Sequence, residues 1–462
     1  MQRPFDLDGV YSEVNPMMAS IYPATLMWLF GTGQFTWKFS LIVSVTFAIP
    51  GIYILGHLLA GRAAATISAA TLAFSHYIFA FMHTGYPNTD VLPIIVWSVV
   101  LFVLGIRRRD PLLIYASGVL AGFGLLFNIV ARAVLPIIAL YAISHRDTRR
   151  HLLSYWPWAL GVSLTALPVL LVNGTDIYST TLVKIVGPAS QHASEYDSVV
   201  SRITSNAMQN LMAFNYNPHT SHYVSGALLD PISTVLAALG FGCLIATAGR
   251  SLSRLVLIIQ TVLAIGAALL SPYPNVPITR MTSLLIPLSL MAGVAAAYVY
   301  RECAASTGWT GCSRGRLPAV MVVGTLCTAV LLLNVRQFWV ETPRKFFHTQ
   351  EAVAMGALSS EQCAGDAASV AMVGRGTASL LAPAVYSYSG DGDSPILLDH
   401  SEILSGMPMP ERVFRCAIFY HPHDSEIIPF MLDIAARYPD GQFRRFSNPS
   451  GMASVEIFSR GQ

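Results

Sequence analysis

Residues 111–144 read PLLIYASGVLAGFGLLFNIVARAVLPIIALYAIS, an apolar run of 34 positions whose only charge is Arg132. As one α-helix it would extend about 51 Å at 1.5 Å per residue, far more than the roughly 30 Å of a hydrocarbon core. The run must therefore break. Asn128 to Arg132 is its only polar interruption, so the sequence predicts two short helices, 111–128 and 129–144, joined by a tight turn.

Working outward from this pair, blocks of similar character recur at 36–59, 63–82, 90–106, 152–172, 227–248, 253–270, 280–300 and 318–335, making ten predicted crossings. The composition agrees, since 53% of the 462 residues are hydrophobic and only 11% charged, against about a quarter charged in soluble domains. The net charge of +3 is small and the Arg residues punctuate apolar blocks, which excludes nucleic acid as an expected partner. Six Cys without a CxxC pair exclude a zinc ribbon or a disulfide scaffold. Met1 to Asn15 carries Asp6, Asp8 and Glu13 and no apolar core, so no signal peptide is expected.

Positive charge sets the orientation. Alternate loops carry Arg62; Arg107, Arg108 and Arg109; Arg146, Arg149 and Arg150; Arg250 and Arg254; and Arg301, Arg314 and Arg316. These loops are expected to be cytoplasmic. The opposite, external face then receives loop 83–89, the turn near Arg132, the long loop 173–226, the loop 271–279 and everything after about 336. Met17 to Phe30 is apolar but short and contains Pro23, which predicts an interfacial helix with Tyr22 and Trp28 at headgroup level.

After residue 340 the composition becomes that of a soluble domain. Ser369 to Val373, Pro395 to Leu398 and Val413 to Tyr420 read as strands, Glu426 to Tyr438 as an amphipathic helix, and 442–446 with 453–458 as a hairpin around Asn448 to Gly451. The expected fold class is an all-α polytopic membrane domain, about ten transmembrane helices plus the interfacial helix, over 1–340, followed by a small extracytoplasmic α/β domain over 341–462.

The segments IYPATLMWLFGTGQFTWK (21–38), AFMHTGYPNTDVLP (80–93), LFNIVARAVLP (126–136) and NLMAFNYNPHTSHYVSGALLDP (210–231), continued by RMTSLLIP (280–287), resemble in that order the bacterial relatives of the dolichyl-phosphate-mannose protein mannosyltransferases, within the C-type superfamily of integral-membrane glycosyltransferases. The resemblance implies transfer of a sugar from a polyprenyl-phosphate donor to an acceptor at the extracytoplasmic face, with acidic residues in the first two external loops and often a divalent metal. It also implies that Asp90 is the second-loop acid and that Arg132 contacts the lipid phosphate. Two departures are expected to matter: His83 stands where such relatives commonly have Arg, and the family's first transmembrane helix with its acidic loop pair has no counterpart, so the chain is expected to be missing its start or some of its activity.

The chemistry of sugar transfer needs a base for the acceptor proton and a cation for the departing phosphate. Asp90 fits the first role, and equally fits a helix N-cap. Arg132 fits the second, and equally fits an arginine snorkelling to headgroups. Asp6, Asp8 and Glu13 are candidate catalytic carboxylates whose hard oxygens suit Mg or Mn, or a solvated tail. His83 and Arg280 are candidate phosphate contacts and Tyr86 a candidate cavity residue. Asn217, His219, His222 and Tyr223 precede a span, but Pro218 argues for a loop over a metal-binding helix. His421 and His423 precede a helix that Asp424 or Ser425 would cap. Cys363 and Cys416 are either a disulfide or two buried thiols.

The expected function is glycosyl transfer from a polyprenyl-phosphate sugar in a bacterial inner membrane. The alternatives are a transporter or lipid flippase, which would show interrupted helices and midplane ionisable groups, and a non-catalytic family member. The acceptor and the sugar are not encoded in any motif.

Overall fold

The computed structural model describes residues 18–31, 34–84, 87–127, 129–144, 149, 152–173, 201, 204–208, 226–269, 281–306, 316–341, 370–374, 396–399, 416–419, 428–447 and 454–460. These fall into two compact units, one of Met1–Leu26 with Lys38–Val340 and the other of Met27–Trp37 with Glu341–Gln462.

The first unit is helical. In chain order its helices are α1 (Met18–Phe30) as far as Leu26, α2 (Gln34–Ala60) from Lys38, α3 (Arg62–Ala73), α4 (His76–Thr84), α5 (Val91–Arg108), α6 (Pro111–Phe127), α7 (Val134–Ser144), α8 (Trp156–Asn173), α9 (Pro231–Ala246), α10 (Ser251–Leu269), α11 (Leu285–Ser306) and α12 (Arg316–Arg336). Six stretches among the described residues are long and apolar enough to cross a membrane: Lys38–Ala60, Arg62–His83, Val91–Arg108, Ser251–Leu269, Thr282–Cys303 and Val320–Glu341. Shorter apolar helices include Pro111–Leu125, Val130–Ser144 and Pro231–Ala246. The chain is a multi-pass membrane protein.

The long run breaks at the position the polar interruption marks. α6 stops at Phe127, a 3₁₀ turn occupies Ile129–Ala133, and α7 begins at Val134. By contrast, 63–82 reads as one helix but forms two. Phe74 caps α3, its amide donating to the Ala70 carbonyl at 2.9 Å and the next amide, of Ser75, to the Leu72 carbonyl at 3.3 Å, and α4 restarts at His76. No Gly or Pro causes the interruption; a side chain from a distant span supplies the acceptor that the break removes, as described below.

Glycines bring backbones together where apolar bulk would hold them apart. A side chain on Gly118 of α6 would collide with the Trp158 backbone of α8, and one on Gly161 of α8 with the Tyr115 carbonyl of α6. Leu72, Tyr77, Phe81, Leu92 and Phe102 are fully buried in the core this creates. Apolar side chains also remain outside: Phe47, Leu112, Leu239 and Leu332 are all more than half exposed, as expected of surfaces solvated by lipid tails.

The Arg-rich ends are tied by guanidinium bonds to carbonyls at helix termini, where the negative dipole end favours a cation. Arg301 donates to the Ala60 carbonyl at 3.1 Å, and Arg254 donates to the carbonyls of Ala248, at 3.2 Å, and Ser144. Arg109 closes α5 in the left-handed region with φ 55°, and Asp110 accepts from the Leu112 amide at 2.9 Å to begin α6.

In the second unit, β1 (Val370–Gly374), β2 (Ile396–Asp399), β3 (Cys416–Phe419), β4 (Gly441–Ser447) and β5 (Ser454–Arg460) form one sheet in the order β2-β1-β3-β5-β4. β1 runs parallel to both β2 and β3, β5 antiparallel to β3, and β4 and β5 are an antiparallel pair. α13 (Ile428–Arg437) buries Met431 and Ile434, and Phe443 stacks on buried Phe458 at 4.9 Å. Cys416 is buried and disulfide-bonded. Cys363, the turn 448–451 and residues His421 to Ser425 lie outside the described residues.

Candidate active site

Asp90 closes a 3₁₀ turn, Pro87–Asp90, and stands directly before α5. Its position is that of an N-cap, yet its backbone is helical (φ −67°, ψ −18°) and its side chain makes no cap bond. The capping alternative is therefore corrected. Asp90 is 2% exposed and neither carboxylate oxygen has a hydrogen-bond partner among the described residues. Burial pushes its pKa from 3.8 up to about 6, partly offset by the nearby Ser44 hydroxyl. A buried carboxylate without bonds is costly unless something else is meant to meet it.

Asp230 shows what a real cap looks like in the same chain. It precedes α9 with an extended backbone, and its Oδ1 accepts from the Ile232 and Ser233 amides, each at 3.0 Å.

Around Asp90 the structure assembles polar groups that the sequence reading passed over. Tyr22 is half-buried, and its hydroxyl donates to the Ser40 carbonyl at 3.1 Å. Burial and the charge of Asp90 both raise the Tyr22 phenol, with Ser44 again close by. Ser40 and Ser44 are one helical turn apart on α2, 1% and 8% exposed. Two buried hydroxyls at a spacing of four in an otherwise apolar span are the signal that could have revealed this lining.

Arg132 sits in the 3₁₀ turn Ile129–Ala133, which packs against α5, the helix that Asp90 begins. Gly124 makes room for that approach: a side chain there would meet Ala131 and Ile94. The turn of Asp90 also packs against Thr282–Leu284. Arg280 precedes that segment but lies outside the described residues, as do Tyr86, Asp6, Asp8, Glu13, Asn217, His219, His222 and Tyr223.

His83 lies at the end of α4, with its ring edge-on to Phe338 at 5.9 Å. Lys38, which the sequence reading did not single out, is close enough to His83 for their charges to interact. A lysine on the face that carries Asp90 supplies a cation near a position where a histidine alone is weakly charged at neutral pH. Among the described residues no three His, Cys, Asp or Glu gather into a metal-binding group.

A second polar cluster lies deeper. The His76 amide, freed by the break between α3 and α4, donates to Asn334 Oδ1 at 2.9 Å, and His76 Nδ1 lies 2.8 Å from the same oxygen. Asn334 Nδ2 donates to Asp230 Oδ2 at 2.9 Å and to the Val330 carbonyl at 2.8 Å. Because Oδ1 can only accept, His76 must carry its proton on Nδ1. These bonds occupy both ends of the Asn334 amide, and they hold an interrupted helix together.

Residues 14–173 match the family described as Dolichyl-phosphate-mannose-protein mannosyltransferase. No curated protein sequence matches the chain. Among solved structures, the fold is similar to that of ArnT from Cupriavidus metallidurans bound to undecaprenyl phosphate, with TM-score 0.51 and 12% identity over 96% of this chain and 88% of that one. The same protein in the apo state gives TM-score 0.50 and 13% identity, covering 96% and 87%. The archaeal oligosaccharyltransferase AglB from Archaeoglobus fulgidus, in complex with an inhibitory peptide and a dolichol-phosphate, gives 0.48 and 11%, covering 98% and 66%. The chain shares the fold of ArnT, and the part of it that carries Asp90, Arg132 and His83 resembles the dolichyl-phosphate-mannose protein mannosyltransferases.

Proposed function

We propose that this chain transfers a sugar from a polyprenyl-phosphate donor to an acceptor hydroxyl at the extracytoplasmic face of a bacterial inner membrane, with Asp90 as the base. The observation that carries the reading is a buried carboxylate with no cap bond and, beyond the nearby Ser44 hydroxyl, no polar partner among the described residues, in a region that matches a mannosyltransferase family. The acceptor oxygen attacks the anomeric carbon, the bond from that carbon to the phosphate oxygen breaks, and the acceptor proton passes to Asp90. The lipid phosphate leaves with its negative charge balanced by Arg132 and Lys38. Hydrogen bonding from Tyr22 and Ser44 orients what binds beside Asp90. The ArnT structure with undecaprenyl phosphate supports the choice of a polyprenyl carrier.

The orphaned oxygens of Asp90 also suit a hard cation. Asp90 with Asp6, Asp8 or Glu13 would hold Mg or Mn, which when bound would neutralise the donor phosphate. The Arg-rich ends face the cytoplasm in this reading, and the disulfide at Cys416 fits a C-terminal unit exposed to an oxidising compartment.

The test incubates membranes containing the chain with radiolabelled polyprenyl-phosphate sugars and follows label into protein, lipid and glycan fractions, with and without EDTA. Label reaching an acceptor with wild type and not with Asp90→Asn supports the reading. Equal transfer by both overturns it. Loss with EDTA and recovery with Mg or Mn supports the cation; indifference to EDTA removes it from the scheme.

A further inference from the structure

At the end of the bundle opposite Asp90 lies a cavity of about 530 Å³ between the start of α3, the end of α11 and the first half of α12. The whole stretch Arg62–His83, α3 followed by α4, lies between its Arg62 and the loop that leads to Asp90, and no cavity residue belongs to the Asp90 end, so the cavity is no part of the transfer site. Its lining is two-sided. Arg62, Arg301 and Tyr300 provide the polar part, and Val320, Gly324 and Cys327 of α12 provide an apolar wall. Both arginines are exposed. Arg301 spends one nitrogen on the Ala60 carbonyl and keeps further donors of its five. The cavity volume is of the size that holds a compact ligand, about 300–1,000 Å³.

We propose that this cavity binds an anionic diacyl phospholipid of the surrounding membrane. The phosphate sits between Arg62 and Arg301, where the first amides of α3 add to the positive field. One acyl chain runs along α12. Two guanidiniums beside an apolar wall match an amphiphile with a negative head, and a soluble anion would have no use for the wall. α12 is also the span least covered by protein: Val320 and Met321 are 57% and 63% exposed, so the wall continues into surface that lipid tails must solvate. Basic cavities between spans at the Arg-rich membrane face are suited to such headgroups. A lipid held here would pin α12 to α3 and α11; the leaflet, though not the site, rests on the orientation proposed above.

The experiment uses the purified full chain in detergent, with phosphatidylglycerol and phosphatidylcholine as probes and retention of lipid read by native mass spectrometry. Phosphatidylglycerol is expected to bind saturably and phosphatidylcholine weakly. Arg62→Gln with Arg301→Gln should weaken phosphatidylglycerol retention about tenfold or more. Since Arg301 also braces Ala60, a second variant, Gly324→Trp, keeps every charge: Gly324 lines the cavity and a Cβ there meets nothing within 4 Å, so the side chain starts in open space and is expected to occupy the groove, with unchanged melting as the check on folding. It too should lose the lipid. Retention unchanged in Gly324→Trp, or phosphatidylcholine bound as well as phosphatidylglycerol, overturns the proposal. So does displacement by equal inorganic phosphate, which would mark a soluble-anion site, or strong preference for polyprenyl phosphate, which would mark a carrier site.

Discussion

Asn334 Nδ2 donates to Asp230 Oδ2 at 2.9 Å, joining two spans 104 residues apart in the chain. Through its Oδ1 the same amide receives the His76 backbone N–H, so one side chain serves the start of α9, the end of α12 and the break before α4. All three residues are buried, at 2% for His76 and Asn334 and 6% for Asp230.

Replacing Asn334 by Leu should therefore destabilise the fold well beyond the loss of one bond. The His76 amide and Asp230 Oδ2 would both stay buried without partners, at about 1–3 kcal/mol for each. A large drop in unfolding temperature in detergent is the expected result, and a near-normal value would show that the network is dispensable.

The break itself shows where the sequence was and was not legible. Residues 111–144 betray their turn because Asn128 and Arg132 stand together in the middle of a run too long to span. Residues 63–82 hide theirs because the acceptor that permits it, Asn334, lies 258 residues from His76, and no local pattern reports a bond at that separation. The same holds for the candidate site. Asp90 and Arg132 stood out as charges at span ends, whereas Tyr22, Ser40 and Ser44 become a lining only when α1 and α2 are brought to Asp90. Helix or strand type in the C-terminal unit followed from short apolar runs, one amphipathic stretch and a turn signal, since β1, β2, β3, α13 and the β4–β5 pair lie within a few residues of where the pattern put them.

Asp90→Asn should leave the fold intact and remove turnover. No cap bond is lost, because none exists, and a buried charge is replaced by a neutral amide, so thermal stability should hold or rise. Loss of the base should lower the rate by about 10²–10⁴. Parallel measurement of melting and transfer separates this from misfolding, in which both would fall.

The pH dependence of the two properties should run in opposite directions. Burial raises the Asp90 carboxyl to about 6, above its ordinary 3.8, so the neutral form is favoured in the folded chain. Its contribution to stability is present at low pH and is lost as pH rises through about 6. Transfer needs the carboxylate and should rise over that same interval, halved near pH 6. Asp90→Asn should abolish the stability trend; a wild-type rate that is flat from pH 5 to 7 would remove Asp90 as the base.

Arg132→Lys keeps the charge but loses the planar fork that holds two phosphate oxygens. The donor KM should rise about tenfold while kcat changes less, because a point charge still offsets the leaving phosphate. An unchanged donor KM would return Arg132 to the role of an arginine reaching for headgroups.

Topology offers the last test, and it bears on every site argument. Arg62, Arg107 to Arg109, Arg250, Arg254 and Arg301 all mark one end of the bundle, while Asp90, Arg132 and Lys38 lie at helix ends that alternate with it. If positive charge is retained inside, reporter fusions after His192 and after Gln462 should both be active outside, and a fusion after Arg109 only inside. Cys416 gives an independent readout in the unaltered chain. Being disulfide-bonded and buried, it should be reduced by an impermeant reductant applied to intact cells and then labelled by a maleimide once the chain is denatured. An internal signal at residue 462, or Cys416 reduced only when the reductant is given access through an opened membrane, would reverse the orientation and put Asp90 on the cytoplasmic face, where the proposed extracytoplasmic transfer could not take place.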